Sequence, residues 1–197
     1  GMILSTQSLI SASKISKPDS LFQKYQQAEN DTEKVKALFI LSQYWSENNP
    51  DSSKFYSKKL VNSALKIGDV KKAYFGFYDL ITKFTNYGQY DSASHYAFWG
   101  MDIYKGDSSF TFPRTVILSL IGNIYRATSQ HELALSYLSE AAEEIRHSNN
   151  PLLLSHTYNR MASVNHEIKN LGQAIRFADT SLTLAKAIND STLILNN

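Results

Sequence analysis

A skeleton of small and large residues recurs along this 197-residue chain at intervals of 40 or 41 residues. The clearest copy reads Leu118-x2-Ile121-Gly122-x2-Tyr125, followed by Ala134-x3-Leu138 and Ala141. The other copies begin at Ala37, Phe77 and Tyr158, and the second block of each copy opens with a small residue: Ser53, Ala93, Ala134 or Ala174. A fixed period of this length indicates stacked structural repeats, each of which covers an apolar face of its neighbour.

The small residues of this skeleton have a packing purpose. Two antiparallel helices approach closely only where the contacting side chains are small, so Gly122 and Ala134 indicate a tight helix pair. Tyr125 is expected to fill the space beside that pair. Because these residues recur in each copy, we interpret them as architecture and not as a binding site.

Start and stop signals divide the chain into about nine helices. Starts are predicted at Asn30 with Glu33, Asn49-Pro50, Asp91-Ser92, Ser129 with Glu132, and Asn150-Pro151. Stops are predicted at Gly68, Gly88, Gly106 and residues 147–150. Helical periodicity dominates between these signals and strand-like alternation is missing, so the predicted fold class is all-α.

These boundaries predict a linear organisation. Residues 1–17 form a flexible N-terminus with a tag remnant at Gly1, and this segment is either the end of a signal peptide or a frayed terminus. Residues 18–30 form a capping helix, and four hairpins follow at about 31–68, 70–106, 112–147 and 151–188. Asn189-Asp190 is similar to a helix cap, so residues 189–197 are expected to begin a further helix of a longer protein.

The skeleton resembles the W-x2-L-G-x2-Y…A-x3-F pattern of the tetratricopeptide repeat, or TPR. The resemblance covers residues 34–184 in four copies, of which the third matches best and the first least. The period is longer than the usual 34 residues or so, and the Trp that opens the pattern is replaced in every copy. The resemblance implies a right-handed superhelix of antiparallel helix hairpins, whose first helices line a concave groove.

When the groove positions of the TPR pattern are placed on the equivalent positions of each copy, this resemblance implies a set of groove-facing residues. They are Leu38, Ser42 and Trp45; Tyr78, Thr82 and Asn86; Ser119, Asn123 and Arg126; and Asn159, Ser163, His166 and Glu167. Amides can pair with a peptide backbone and aromatic rings supply contact area, so the set suits peptide recognition. The alternative is that these are tolerated solvent-facing residues. Arg126 is the only cation in the set, which argues against a clamp for a carboxylate.

Motifs for catalysis and for cofactor or metal binding are missing from the sequence. There are no cysteines, and NHEIKN has Asn170 where a zinc-protease motif needs its second His. Phosphate-binding glycine loops and a nucleophile elbow are also missing. We therefore predict no enzymatic activity, no cofactor and no metal. The net charge of +2 does not favour nucleic acid. The predicted partner is a protein or a peptide, with a homodimer also considered.

Residues 30–69, which contain NPDS followed by YSKKLVNSALKIGD, resemble the N-terminal region of bacterial TPR-containing sensor histidine kinases. In that group, long-period TPR arrays precede a membrane helix and a histidine kinase or a DNA-binding output domain. The resemblance implies the sensory or interaction region of a two-component signalling protein, located in the periplasm. Two alternatives stay open. One is a scaffold for dimerisation or complex assembly that uses Trp99, and the other is a cytoplasmic peptide-responsive regulator.

Overall fold

The computed structural model describes residues 17–106, 108–148 and 150–195, and these ranges hold helices and no strand. The α-helices are α1 (Lys17–Gln26), α2 (Asp31–Asn48), α3 (Pro50–Lys66), α4 (Val70–Asn86), α5 (Tyr90–Tyr104), α6 (Thr111–Ala127), α7 (His131–Ser148), α8 (Pro151–Glu167) and α9 (Leu171–Leu195). One turn of 3₁₀ helix, Ser108–Phe110, precedes α6. The predicted N-terminal segment with its tag remnant covers residues 1–17; residues 1–16 lie outside the described residues, and Lys17 begins α1. The all-α prediction is confirmed.

Three of the predicted helix starts are capped as expected. At each start an asparagine amide oxygen accepts a hydrogen bond from the backbone N–H three residues later: Asn30 from Glu33 at 2.9 Å, Asn49 from Ser52 at 2.9 Å, and Asn150 from Leu153 at 3.0 Å. These bonds satisfy donors that the first helical turn leaves unpaired.

Two other predicted starts are wrong. Ser129 does not cap α7, because its φ of 58° is left-handed and its N–H donates to the Arg126 carbonyl at 3.0 Å, which closes the end of α6. Gly88 does the same after α4, with a φ of 68°. Asp91 lies inside α5, which begins at Tyr90. A short loop between helices needs a left-handed residue to reverse the chain, so Ser129 serves the turn and not the cap.

The last helix also differs from the prediction. It runs without a break from Leu171 to Leu195, so the backbone at Asn189 and Asp190 is helical and no new helix begins there. An Asn–Asp pair lowers intrinsic helix stability by only roughly 1 kcal/mol relative to alanine, which a long helix can offset.

The helices form two rows. Consecutive helices pack against each other from α1 to α9, and the first helices of the hairpins, α2, α4, α6 and α8, also contact one another in order. Comparable contacts between the second helices, α3, α5, α7 and α9, are not found in the described ranges. The array therefore curves toward the first helices, which line what we call the inner face, and the second helices form the outer face. The predicted TPR-like α-solenoid is confirmed.

The recurring small residues lie at tight contacts between helices. The four that open the second blocks are all buried: Ser53, Ala93, Ala134 and Ala174. A Cβ atom added to Gly122 would lie 2.7 Å from Leu138 Cγ and 3.1 Å from the carbonyl oxygen of Ala134. Tyr125 stacks on Tyr137 with ring centroids 5.4 Å apart. The interpretation of Gly122, Tyr125 and Ala134 as packing residues is confirmed.

Trp99 packs against the core. Its ring meets Phe77 edge-on with centroids 5.2 Å apart. Nearby, the buried Tyr104 donates a hydrogen bond of 2.8 Å to the Val70 carbonyl, which ties α5 to α4. Burial raises the pKa of the Tyr104 hydroxyl, so this donor stays protonated.

Candidate functional site

The residues predicted to face the groove all lie on first helices, but their exposure differs. The exposed side chains are Tyr78, Asn86, Asn159, His166 and Glu167; the partly buried ones are Trp45, Thr82, Asn123, Arg126 and Ser163; the buried ones are Leu38, Ser42 and Ser119. Because they lie on the inner face and are at least partly exposed, residues of the first two groups can contact a partner. Their role as contacts stays a prediction.

The three buried residues are corrections to the predicted set. Leu38 belongs to the hydrophobic core, and Ser42 donates to the Phe39 carbonyl at 2.9 Å. Ser119 is fully buried, and its hydroxyl accepts a hydrogen bond of 2.6 Å from Nη1 of Arg160. The prediction that Ser119 faces the groove is wrong, because Ser119 is buried and Arg160 reaches it from α8.

A cavity of about 420 Å³ opens between α2 and α4 on the inner face. We call it the aromatic pocket, and its lining residues are Ser42, Gln43, Ser46, Glu47, Phe75, Tyr78 and Asp79. Phe75 and Tyr78 are 45% and 43% exposed, and Phe39 packs on Phe75 with ring centroids 5.0 Å apart. Exposed rings on a concave wall provide apolar contact area for a partner.

Aromatic packing continues from α4 to α6. Tyr74 packs against Phe75 with centroids 5.3 Å apart and against Phe112 of α6 with centroids 5.8 Å apart. Phe75 and Phe112 are both exposed while Tyr74 between them is buried. The rings therefore form a connected row across two repeats.

Asp79 anchors the base of the aromatic pocket. Its carboxylate accepts hydrogen bonds from three serine hydroxyls: Ser46 of α2 at 2.8 Å, and Ser53 and Ser57 of α3 at 2.5 and 2.8 Å. Lys83 Nζ donates to the Ser46 carbonyl at 2.7 Å. Because the carboxylate is supplied with donors from two other helices, Asp79 is a structural group and not a free ligand-binding group.

A second cavity, of about 560 Å³, lies between α8 and α9. We call it the C-terminal pocket, and its lining residues are Arg126, Ala162, Ser163, His166, Glu167, Leu171, Ala174, Ile175 and Ala178. The wall supplied by α9 is apolar, with Leu171 and Ile175 exposed by 56% and 61%. The polar residues lie on the α6 and α8 side.

Three predicted groove residues come together at the polar edge of the C-terminal pocket. The guanidinium of Arg126 pairs with the carboxylate of Glu167. Arg126 Nε also donates to Asn123 Oδ1 at 3.1 Å. The second carboxylate oxygen of Glu167 lies 3.3 Å from His131 Nε2. The charge of Arg126, the cation that the sequence singled out, is therefore already balanced within the chain.

Arg160 is a residue of the inner face that sequence reasoning missed. It follows the predicted contact Asn159 and reaches back to Ser119 on α6. A signal was present in the repeat: the equivalent positions of the four copies are Phe39, Asp79, Leu120 and Arg160. Copies two and four place a charge where copies one and three place an apolar side chain, and an irregularity of this kind marks a position to inspect.

The surroundings of Arg160 disfavour its positive charge. Burial lowers the pKa of its guanidinium, Tyr78 opposes that change, and the positive charge of Arg126 adds to it. No carboxylate of the described residues lies within 4.0 Å of Arg160, whereas Arg126 has Glu167. Arginine does not lose its proton in proteins, so the site holds a permanent positive charge.

Two further predicted groove residues contain buried polar atoms. Neither Nε1 of Trp45 nor Oγ1 of Thr82 has a hydrogen-bond partner among the described residues. Most buried polar atoms are hydrogen-bonded in folded proteins, so two unpaired ones are unusual. They lie on neighbouring first helices, α2 and α4, on the same side of the array as the aromatic pocket.

The described ranges show no sign of a metal centre. No three His, Asp or Glu side chains come together there in a way that could hold a metal ion. The helices of these ranges are each too short or too polar to cross a bilayer.

No protein-family model and no curated protein matches this chain. Solved structures do match it. The crystal structure of BtubC (BKLC) from P. vanneervenii superposes with a TM-score of 0.70 at 13% sequence identity, over 87% of this chain and 71% of BtubC. The crystal structure of the apo form of RapI superposes with a TM-score of 0.73 at 16% identity, over 84% of this chain. The chain spans only 46% of the length of RapI.

Likeness at such low identity shows the fold alone. Both neighbours are helical repeat proteins, and RapI has a TPR-type fold. These comparisons agree with the two-row packing described above and place the chain in the structural class of TPR-like α-solenoids.

Proposed function

We propose that this chain is a binding module that holds an extended peptide segment of a partner protein along its inner face. The aromatic pocket is the observation that carries the proposal, because Phe75 and Tyr78 expose ring surface on a concave wall above the fixed Asp79. Rings in such positions supply much of the binding energy in protein interfaces. Exposed amides at Asn86 and Asn159 can pair with the backbone of an extended peptide.

A pair of matched variants tests this proposal. Phe75→Ala removes a ring from the aromatic pocket, and Phe98→Ala removes a ring with a similar exposure of 42% from α5 in the outer row. A display library of random short peptides is selected on the immobilised wild-type chain, and the enriched peptides are measured by fluorescence anisotropy. Phe75→Ala is expected to weaken binding about tenfold or more, and Phe98→Ala by less than about twofold. Equal losses in the two variants, or no enriched peptide, would contradict the proposal.

Assembly without a sensed ligand is a second candidate, and one observation favours it. An apolar stripe with helical spacing is exposed on α9: Leu171, Ile175 and Leu182. In the preceding hairpins the next first helix packs on the second helix, as α8 does on α7. Light scattering of the purified chain over a range of concentrations tests this candidate. A dimer that is lost in Ile175→Glu would support it, and a monomer throughout would contradict it.

The signalling context is also a proposal, and the sequence resemblance is its support. We propose that the module is the sensory or interaction region of a bacterial two-component signalling protein and lies in the periplasm; a cytoplasmic regulator is the alternative. A reporter that is active only after export, fused behind the module in the full-length protein, separates the two locations. Reporter activity is expected, and its absence with a stable fusion would favour the cytoplasm.

A further inference from the structure

Arg160 bears a positive charge that no carboxylate of the described residues pairs with. Its guanidinium has five N–H donors, and the described residues accept one hydrogen bond from it, through the Ser119 hydroxyl. Serine is neutral and supplies no compensating charge. The site is also partly enclosed, because Ser119 beneath it is fully buried.

Other arginines of the array have carboxylate partners or face solvent. The paired ones are Arg114 with Glu144 at 2.7 Å, Arg146 with Glu143 at 2.7 Å, and Arg126 with Glu167. Arg176 lies on α9 and is exposed to water. Arg160 combines partial burial with the absence of a carboxylate partner in the described ranges, which is the unfavourable combination for a charged group.

Among the described residues, the charge balance around Arg160 lacks one negative charge. Two guanidinium groups, Arg160 and Arg126, lie close enough to repel each other. One carboxylate, that of Glu167, is paired with Arg126. A single further carboxylate would complete the balance, and its two oxygens fit the parallel N–H groups of a guanidinium. A phosphate, with a charge of about −1.5 to −2, would exceed it.

We propose that Arg160 anchors a carboxylate of the bound peptide, so that the ligand of the inner face is an acidic peptide. This inference rests on the proposed function and names the ligand class for the same surface. Either an Asp or Glu side chain or a C-terminal carboxylate supplies the group.

The position of Tyr78 fixes what should flank that acidic group. Tyr78 interacts electrostatically with Arg160, and it is also a lining residue of the aromatic pocket. A peptide anchored at Arg160 therefore has the exposed rings of Tyr78 and Phe75 along its path. The ligand that fits both features has an apolar or aromatic side chain next to its acidic group.

Three synthetic libraries of random short peptides test the anchor. The first contains Asp and Glu and has amidated C-termini; the second lacks Asp and Glu and has free C-termini; the third lacks both sources of carboxylate. Each library is passed over the immobilised full chain, and retained peptides are identified by mass spectrometry. We expect retention from the first or the second library and little from the third, and which of the two is retained identifies the source of the carboxylate.

Variants assign the effect to Arg160. Arg160→Met removes the charge with little change in length, Arg160→Lys keeps the charge but loses the fork, and Arg176→Met is the control for loss of one positive charge. Arg160→Met is expected to weaken the retained peptides about tenfold to a hundredfold. Arg160→Lys should show a smaller loss, and Arg176→Met should bind as the wild type does.

The possible results separate the two proposals. Retention of the third library as strongly as the others, or equal losses in Arg160→Met and Arg176→Met, would overturn the anchor and leave the peptide-binding function standing. No retention from any library would overturn the function and the anchor together. Thermal unfolding of the free chain adds an independent test: Arg160→Met should leave the melting temperature unchanged or raise it. A marked fall would show that Arg160 is structural, which would overturn the anchor.

Discussion

Arg126 and Glu167 are 41 residues apart, and they pair with each other across the inner face from α6 to α8. Ser119 and Arg160 are joined by a hydrogen bond over the same separation of 41 residues. In both pairs, a residue of the third repeat contacts the residue that follows its equivalent in the fourth repeat, because those two copies begin 40 residues apart. The stacking of consecutive repeats therefore also brings polar side chains of α6 and α8 into contact.

The Arg126–Glu167 pair is expected to add modestly to stability. Both side chains are partly exposed, so solvent screens the interaction. A double-mutant cycle with Arg126→Gln and Glu167→Gln should give a coupling energy of about 0.5–1 kcal/mol in urea unfolding. The exposed Lys105–Asp102 pair is the control and should give a value near zero. The same coupling energy for both pairs would contradict this assignment.

Gly122 should tolerate no larger side chain. Gly122→Ala places a Cβ atom 2.7 Å from Leu138 Cγ, so the hairpin formed by α6 and α7 must open. A loss of about 1–3 kcal/mol in the free energy of unfolding is expected. Gly172→Ala is the matched control, because its Cβ would meet nothing within 4 Å and alanine favours helix. Urea titration of both variants checks this, and a stable Gly122→Ala protein would contradict the close approach.

Replacing Ser129 with glycine should stabilise the protein. Its φ of 58° lies in the left-handed region, which is unfavourable for a residue with a Cβ atom. Ser129→Gly is expected to raise the free energy of unfolding by about 0.5–1 kcal/mol. Gly88→Ala is the converse substitution in the equivalent loop, and it should lower that energy by about 1 kcal/mol because φ there is 68°. Changes of the same sign in the two variants would be the contrary outcome.

Asp79 should matter for stability and not only for the pocket beside it. Asp79→Asn replaces one acceptor oxygen with a donor group, so at least one of the three serine hydroxyls loses its acceptor. A loss of about 1–3 kcal/mol is expected in chemical unfolding. Asp102→Asn, in an exposed pair with Lys105, should change the stability by less than about 0.5 kcal/mol. Similar values for the two would argue against a structural carboxylate.

The fold could be predicted further than the site. Close packing of two helices restricts the residues at the contact, so Gly122 and Ala134 recur and reveal the period. The helix caps predicted at asparagines such as Asn49 form, whereas the cap predicted at Ser129 does not, because that residue adopts the left-handed backbone of the turn. The local sequence does not show whether such a residue will cap the next helix or close the turn before it.

Which residues line the inner face depends on how far neighbouring side chains extend, and the position of a residue within the repeat does not show this. Ser119 has the correct phase but is covered, because a long arginine of the next repeat extends back to it. Arg160 lies one position after the predicted groove residue Asn159 in the repeat, so the predicted groove set does not contain it. Asn123, Arg126 and Glu167 were predicted as groove residues, and the structure brings them together, but it also shows that the charges of Arg126 and Glu167 pair with each other.

The inner-face contacts described above also differ in kind along the array. Hydrogen bonds fix distance and direction between α2 and α4, through Ser46 and Asp79, and between α6 and α8, through Ser119 and Arg160. Between α4 and α6 the inner-face contact described above is the ring contact of Tyr74 with Phe112, and an apolar contact is less directional than a hydrogen bond.

We therefore expect a compliant joint on the inner face between two stiffer halves. Spin labels on α3 and α9 should show a broad distance distribution that narrows when a peptide binds. An unchanged distribution would contradict such a joint. A ligand that extends from the aromatic pocket to Arg160 crosses this joint and would restrict its movement. Binding in the groove would therefore increase the bending rigidity of the whole array.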